Sequence, residues 1–122
     1  MKFHATQTAG QNVFTGYGEG YVSINHQRFD HAVVVSPAHD IERWEPPSVD
    51  ALTPADLEAI LEAKPEIVIL GTGDRLRFPK PDLARALAAR GVGLEVMDTK
   101  AACRTYNILA AEGRQVLAAI LI

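Results

Sequence analysis

The feature that leaves this chain the fewest folds is the rhythm of its second half, where short apolar runs alternate with amphipathic ones. Glu66-Ile67-Val68-Ile69-Leu70 reads as a buried strand that empties into Gly71-Thr72-Gly73-Asp74. Pro81 opens a helix through Ala89, with Leu83 and Leu87 facing inward and Gly91 as its C-terminal stop. Val92 to Met97 is another strand, a helix follows from about Thr99 to Ala111, and Gln115 to Leu121 closes as the last strand. Strand, helix, strand, helix, strand with short connectors implies right-handed crossover units and a largely parallel sheet core.

The first half reads as β. Asn12 to Gly20 mixes strand formers with glycines, which predicts a bent or bulged strand followed by a turn. Tyr21-Val22-Ser23-Ile24 alternates, Asn25-His26 supplies turn chemistry, and Gln27-Arg28-Phe29 starts the returning strand of a hairpin. His31 to Val35 is a β-branched run stopped by Pro37, as expected of a central strand covered on both faces. Ile41 to Trp44 is a weaker strand, and Pro46-Pro47 begins an extended connector. Thr53-Pro54-Ala55-Asp56 carries a helix-start signature. It predicts a helix to about Ala63, with Leu57, Ile60 and Leu61 inward and Pro65 beyond its end.

At 122 residues, 48% of them apolar, the chain has the length and composition of one globular domain, expected to span residues 1–122. Its net charge of −3 offers no electrostatic footprint for nucleic acid. The longest apolar run, Val116 to Ile122, is far short of the ~20 residues that cross a bilayer. The opening Met1-Lys2-Phe3-His4 has no long apolar segment behind it, so no secretory signal is expected. A single cysteine forms no internal disulfide and is compatible with a reducing compartment, so a cytoplasmic location is expected. His4, His26, His31 and His39 have no metal-ligand spacing, and no metal is expected.

Two segments carry candidate chemistry. Gly71-Thr72-Gly73-Asp74 sits at the carboxyl end of a strand, where open α/β sheets place ligand crevices. It lacks the third glycine of a dinucleotide loop and the Gly-Lys-Ser/Thr of a phosphate loop, so a structural turn stands beside the ligand-loop reading. Arg75, Arg77 and Lys80 follow within six residues; each either recognises an anion or is simply solvated, with Asp74 or Asp98 a candidate partner for Arg77.

The second segment is the helix that holds Cys103. At ~100° per residue, Lys100, Arg104 and Asn107 fall on one polar face with Cys103 at its edge. Ala101, Ala102, Thr105, Ile108 and Leu109 gather on a packing face. Two cations and a place in the first turns favour thiolate, so an exposed Cys103 is expected to have a lowered pKa; the alternative is a packed thiol. Asp98-Thr99 reads as the helix cap. Tyr106 is expected to pack with its hydroxyl reaching a partner. Trp44 is either a surface anchor or a cover over the core. A ligand site between the two segments would be lined by Thr72, Asp74, Arg77, Cys103, Arg104 and Asn107.

Val68 to Asp74 with Arg77-Phe78-Pro79, and Gly93 to Thr99 with Ala102 to Leu109, together resemble the Mth-domain family, known as domain of unknown function 498. The resemblance covers the chain from the Val22-Ser23-Ile24 hairpin to Leu117. It implies a three-layer α/β domain. A central mixed sheet has crossover helices on one side and a β-rich layer with a helix on the other. The family's eukaryotic members include a mitochondrial complex I assembly factor and an adipogenesis-associated protein, which implies protein partners and an assembly role. No enzymatic activity and no cofactor carry over from it. With no mitochondrial presequence visible, the chain looks like a stand-alone bacterial-type member. The rival expectation is an anion-binding or small-molecule-binding protein, or an enzyme, using the site between the 71–80 loop and the Cys103 helix.

Overall fold

A computed structural model describes residues 10–122; the opening Met1-Lys2-Phe3-His4, with His4, lies outside the described residues. The strands are β1 (Phe14–Gly18), β2 (Tyr21–Ile24), β3 (Gln27–Phe29), β4 (Val33–Val35), β5 (Glu42–Arg43), β6 (Ile67–Thr72), β7 (Gly93–Met97) and β8 (Val116–Leu121). Two helices, α1 (Pro81–Ala89) and α2 (Thr99–Ala111), follow β6 and β7. The first three strands form an antiparallel sheet with a bulge between Phe14 and Gly16, and Asn25 and His26 take the positive φ that a tight hairpin turn demands. The other five form a mixed sheet in the order β5-β4-β8-β6-β7, with β6 parallel to both β7 and β8 and β4 antiparallel to β8.

Strand periodicity divides the core in two. Val33, Val35, Ile69, Val116, Ala118 and Ile120 face one side of the large sheet, where they pack with α2 and with Phe14, Tyr17, Val22 and Ile24 of the small sheet. Val34, Val68, Leu70, Leu117 and Ala119 face the other side, against Leu83 and Leu87 of α1 and against Leu52, Leu57, Ile60 and Leu61. Successive residues of a strand point to opposite faces. The runs Val33–Val35 and Val116–Ile120 are therefore apolar throughout, because both their faces are covered. This is the three-layer α/β arrangement that the resemblance implies, while the largely parallel core read from the strand-helix rhythm holds only for β7, β6 and β8, because β4 and β5 join antiparallel. Gly71 sets the separation on the α2 side. A Cβ there would come within 2.9 Å of Ile120 Cδ1 and 3.2 Å of Ala102 Cβ.

The segment 53–63 departs from expectation. It is not one α-helix but two 3-10 turns, Pro54–Leu57 and Ile60–Ala63, with Lys64 left-handed at φ 53°. The start signature is present, since the Asp56 carboxylate accepts from the Thr53 N–H at 2.8 Å. Leu57 and Ile60 stand three residues apart, one turn of a 3-10 helix, so their spacing serves either winding. Trp44 packs against the Leu57 cluster, which makes it a core cover.

The small sheet is held to the rest chiefly through α2. The Asn107 side chain accepts from the Phe14 N–H at 2.9 Å and donates to the Phe14 carbonyl at 2.8 Å. Tyr106 packs edge-on against the Phe14 ring and donates its hydroxyl to the Asn12 carbonyl at 2.9 Å. Truncating Asn107 to Ala leaves a buried N–H and a buried carbonyl without partners. The expected loss is about 3 kcal/mol of unfolding free energy. Urea denaturation measures it, and a loss under about 1 kcal/mol would show that water replaces the amide.

Candidate functional site

β6 feeds α1 on one face of the large sheet and β7 feeds α2 on the other, so the carboxyl ends of these neighbouring strands form a topological switch point. Here Thr99 braces that crevice, which remains a hollow lined by Gly73, Asp74, Thr99 and Lys100. The Thr99 hydroxyl accepts from the Gly73 N–H at 2.9 Å and donates to the Leu121 carbonyl at 2.6 Å. The Thr99 N–H bonds the Gly73 carbonyl at 2.9 Å. One threonine thus ties the ends of β6 and β8 to the start of α2. Asp98 caps the helix, accepting from the Ala101 N–H at 2.9 Å.

The six expected site residues do not share one lining. Thr72 is buried and its hydroxyl is engaged within its own loop, donating to the Arg75 carbonyl at 2.8 Å and accepting from the Arg77 N–H at 3.1 Å. Asp74 is exposed and borders a hollow with Lys100, Ile122 and the β1–β2 turn, Tyr17 to Tyr21. Arg77 is exposed and does not line that hollow. Arg104 bonds the Tyr17 hydroxyl at 2.7 Å. Cys103 and Asn107 are inside the core with Tyr106 and Ala102.

The helical wheel is therefore corrected. The buried arc of α2 is Thr99, Ala102, Cys103, Tyr106, Asn107 and Ala110, while Ile108, expected to pack, is 59% exposed. Apolar counting favoured the aliphatic side. What decided the orientation was the backbone of Phe14, which needs a polar partner that only Asn107 supplies. Burial selects the packed alternative for the thiol. Desolvation pushes Cys103 up from an ordinary 9.0 to about 12, against the opposing pull of the Arg104 charge. Burial raises the Tyr106 phenol as well.

The signal absent from the sequence reading is apolar. Leu76 and Phe78 stand between the loop cations, 50% and 70% exposed. Two large apolar residues in a Pro-bounded loop outside any helix or strand period mark such a patch. At the opposite end of the sheet, Ser36 Oγ lies 3.1 Å from His39 Nδ1, a contact within the loop after β4. Among the described residues no three His, Cys, Asp or Glu side chains group to hold a metal, and no helix is long and apolar enough to cross a membrane.

A mixed five-stranded sheet carrying α2 and a small antiparallel sheet on one face defines a single α/β domain. The chain belongs to the family described as Protein of unknown function (DUF498/DUF598), whose model matches residues 14–121. A crystal structure of a Bordetella parapertussis protein superposes with a TM-score of 0.87 at 41% identity, covering 94% of this chain and 98% of that one. The human NADH dehydrogenase [ubiquinone] 1 alpha subcomplex assembly factor 3 is 36% identical over 85 residues, 68% of this chain but only 46% of that protein. The 13 kDa major membrane protein of Francisella tularensis subsp. holarctica (strain LVS) is 28% identical over 109 residues, 88% of this chain and 89% of that protein.

A core thiol with a raised pKa makes two outcomes measurable. A thiol reagent at neutral pH is expected to leave the folded protein unmodified and to titrate one cysteine in denaturant. Above pH 9.0 the unfolded chain releases the thiol proton while the folded chain keeps it until about pH 12. Stability from this group is therefore complete below pH 9.0 and declines as pH rises toward about 12. Cys103→Ala should flatten that alkaline decline in urea midpoints, and an unchanged decline would refute the assignment.

Proposed function

We propose that this chain is a protein-interaction factor that assists the assembly of other polypeptides. The observation that carries the reading is its relation to the assembly factor 3 proteins, 36% identity to the human one over 68% of this chain. Because the chain spans less than half of that protein, the partner and the assembled product are part of the proposal. The subunits of the host's NADH dehydrogenase, the enzyme in the relatives' name, are the first partners to test. The proposed setting is the cytoplasm, with which a single cysteine free of disulfide is compatible. Exposed apolar side chains at Leu76 and Phe78 support a surface that meets other proteins.

An affinity-tagged chain expressed at native level in its own host is expected to recover one or a few polypeptides in stoichiometric amount after gentle lysis. NADH dehydrogenase subunits among them would support the finer reading. Recovery of no polypeptide near stoichiometry, with or without chemical cross-linking before lysis, would overturn the assembly role.

A further inference from the structure

We propose that the loop 74–80, between β6 and α1, is the docking surface of this protein and takes an acidic segment of a protein partner around an apolar anchor. The proposal rests on the protein-interaction reading and specifies its site and the chemistry of its partner.

The backbone of the loop is fixed while its side chains are free. Gly73 takes φ 97°, a turn that few L side chains follow, and both its N–H and its carbonyl are bonded to Thr99. Thr72 ties the Arg75 carbonyl and the Arg77 N–H to one hydroxyl. At the far end the Lys80 carbonyl accepts from the Leu83 N–H at 3.0 Å, and Pro79 and Pro81 restrict the chain between them. Against this held backbone, Phe78 and Leu76 stand 70% and 50% exposed. The salt bridges of the described residues involve Arg43, Arg85, Arg90 and Arg114, and none uses Arg75, Arg77 or Lys80. Fixing a loop beforehand reduces the ordering cost of binding. Aromatic and arginine side chains are the residue types that dominate binding energy at protein interfaces.

Charge selects the occupant. Residues 74–80 hold three cations and one acid, Asp74, a net +2 within a chain of net charge −3, so the remainder carries −5. A second copy in a two-fold dimer would set one cationic loop against another. An extended anionic bilayer would face the acidic remainder as well as the loop. An acidic peptide segment touches the loop alone, pairing carboxylates with the forks of Arg75 and Arg77 while an apolar pocket covers Phe78.

The full chain is used to select binders from a phage-displayed library of random peptides. Selected peptides are expected to be acidic with an apolar or aromatic residue, and their binding to weaken with added salt. Phe78→Ala and the double change Arg75→Glu with Arg77→Glu should each weaken that binding about 30-fold. Ile108→Ser, on the exposed side of α2, should leave it unchanged, and urea midpoints verify that every variant folds. No loop-dependent peptide, or selection of neutral or basic peptides, would overturn the proposal. So would anionic vesicles of phosphatidylglycerol and phosphatidylcholine that bind the chain and release the Arg75→Glu, Arg77→Glu variant, or a dimer that the same changes dissociate. If host partners are recovered equally by wild type and loop variants, the loop assignment fails and the interaction reading stands. If none is recovered by either, the interaction reading itself fails.

Discussion

A primary amide binding both polar groups of one peptide residue is a strand-like contact made by a side chain. Asn107 makes this contact to Phe14, and the packing of the small sheet depends on it. The three-stranded sheet of β1 to β3 carries an apolar face, Phe14, Tyr17, Val22 and Ile24, that has to be covered. Its apolar face needs α2, and α2 needs a reason to turn its polar residues inward. The amide supplies that reason. Tyr106 seals the same contact by its ring against Phe14 and its hydroxyl against Asn12, while Asn12 itself holds the Ser36 and His39 carbonyls. One short stretch of α2 therefore fixes both the depth and the rotation of the helix between two sheets.

The same helix braces the place where a doubly wound sheet would ordinarily receive a ligand. Thr99 spends its hydroxyl and its N–H on Gly73 and Leu121, and Asp98 satisfies the first turn. The groups that converge on a ligand elsewhere are here directed at one another. On the loop that leaves the crevice, apolar and cationic side chains face solvent. Cys103, one turn from the cap, belongs to the core and not to that surface.

Much of this was legible in the sequence, and the reason is periodicity. Ile67 to Leu70, Val33 to Val35 and Val116 to Ile120 are too uniformly apolar for anything but doubly covered strands. Pro81, Gly91 and Asp98 bound the helices by backbone chemistry. The segment 53–63 was ambiguous because Leu57, Ile60 and Leu61 fit both an α and a 3-10 period. The rotation of α2 was hidden for another reason. Ranking its faces by hydrophobicity assumes that polar groups seek water, and Asn107 and Thr99 instead satisfy backbone groups more than twenty residues away along the chain. Arg77 lies on a loop as expected, but Thr72, expected in the turn, is the last residue of β6, and the hydroxyl that holds the loop together reads in sequence only as one threonine among glycines.

The strand order has a consequence for biosynthesis. β8 lies between β4 and β6 and pairs with both, yet it is synthesised after every other strand of its sheet. β4 and β5 have no partner beyond each other until β8 emerges, and the faces of Val33, Val35 and Ile69 have no finished layer to meet. The antiparallel hairpin of β1 to β3 can form early, from local contacts alone. The large sheet is assembled in a single late event, when residues 116–121 insert at its centre. Until then the nascent polypeptide presents two open strand edges, those of β4 and β6, to wrong pairing.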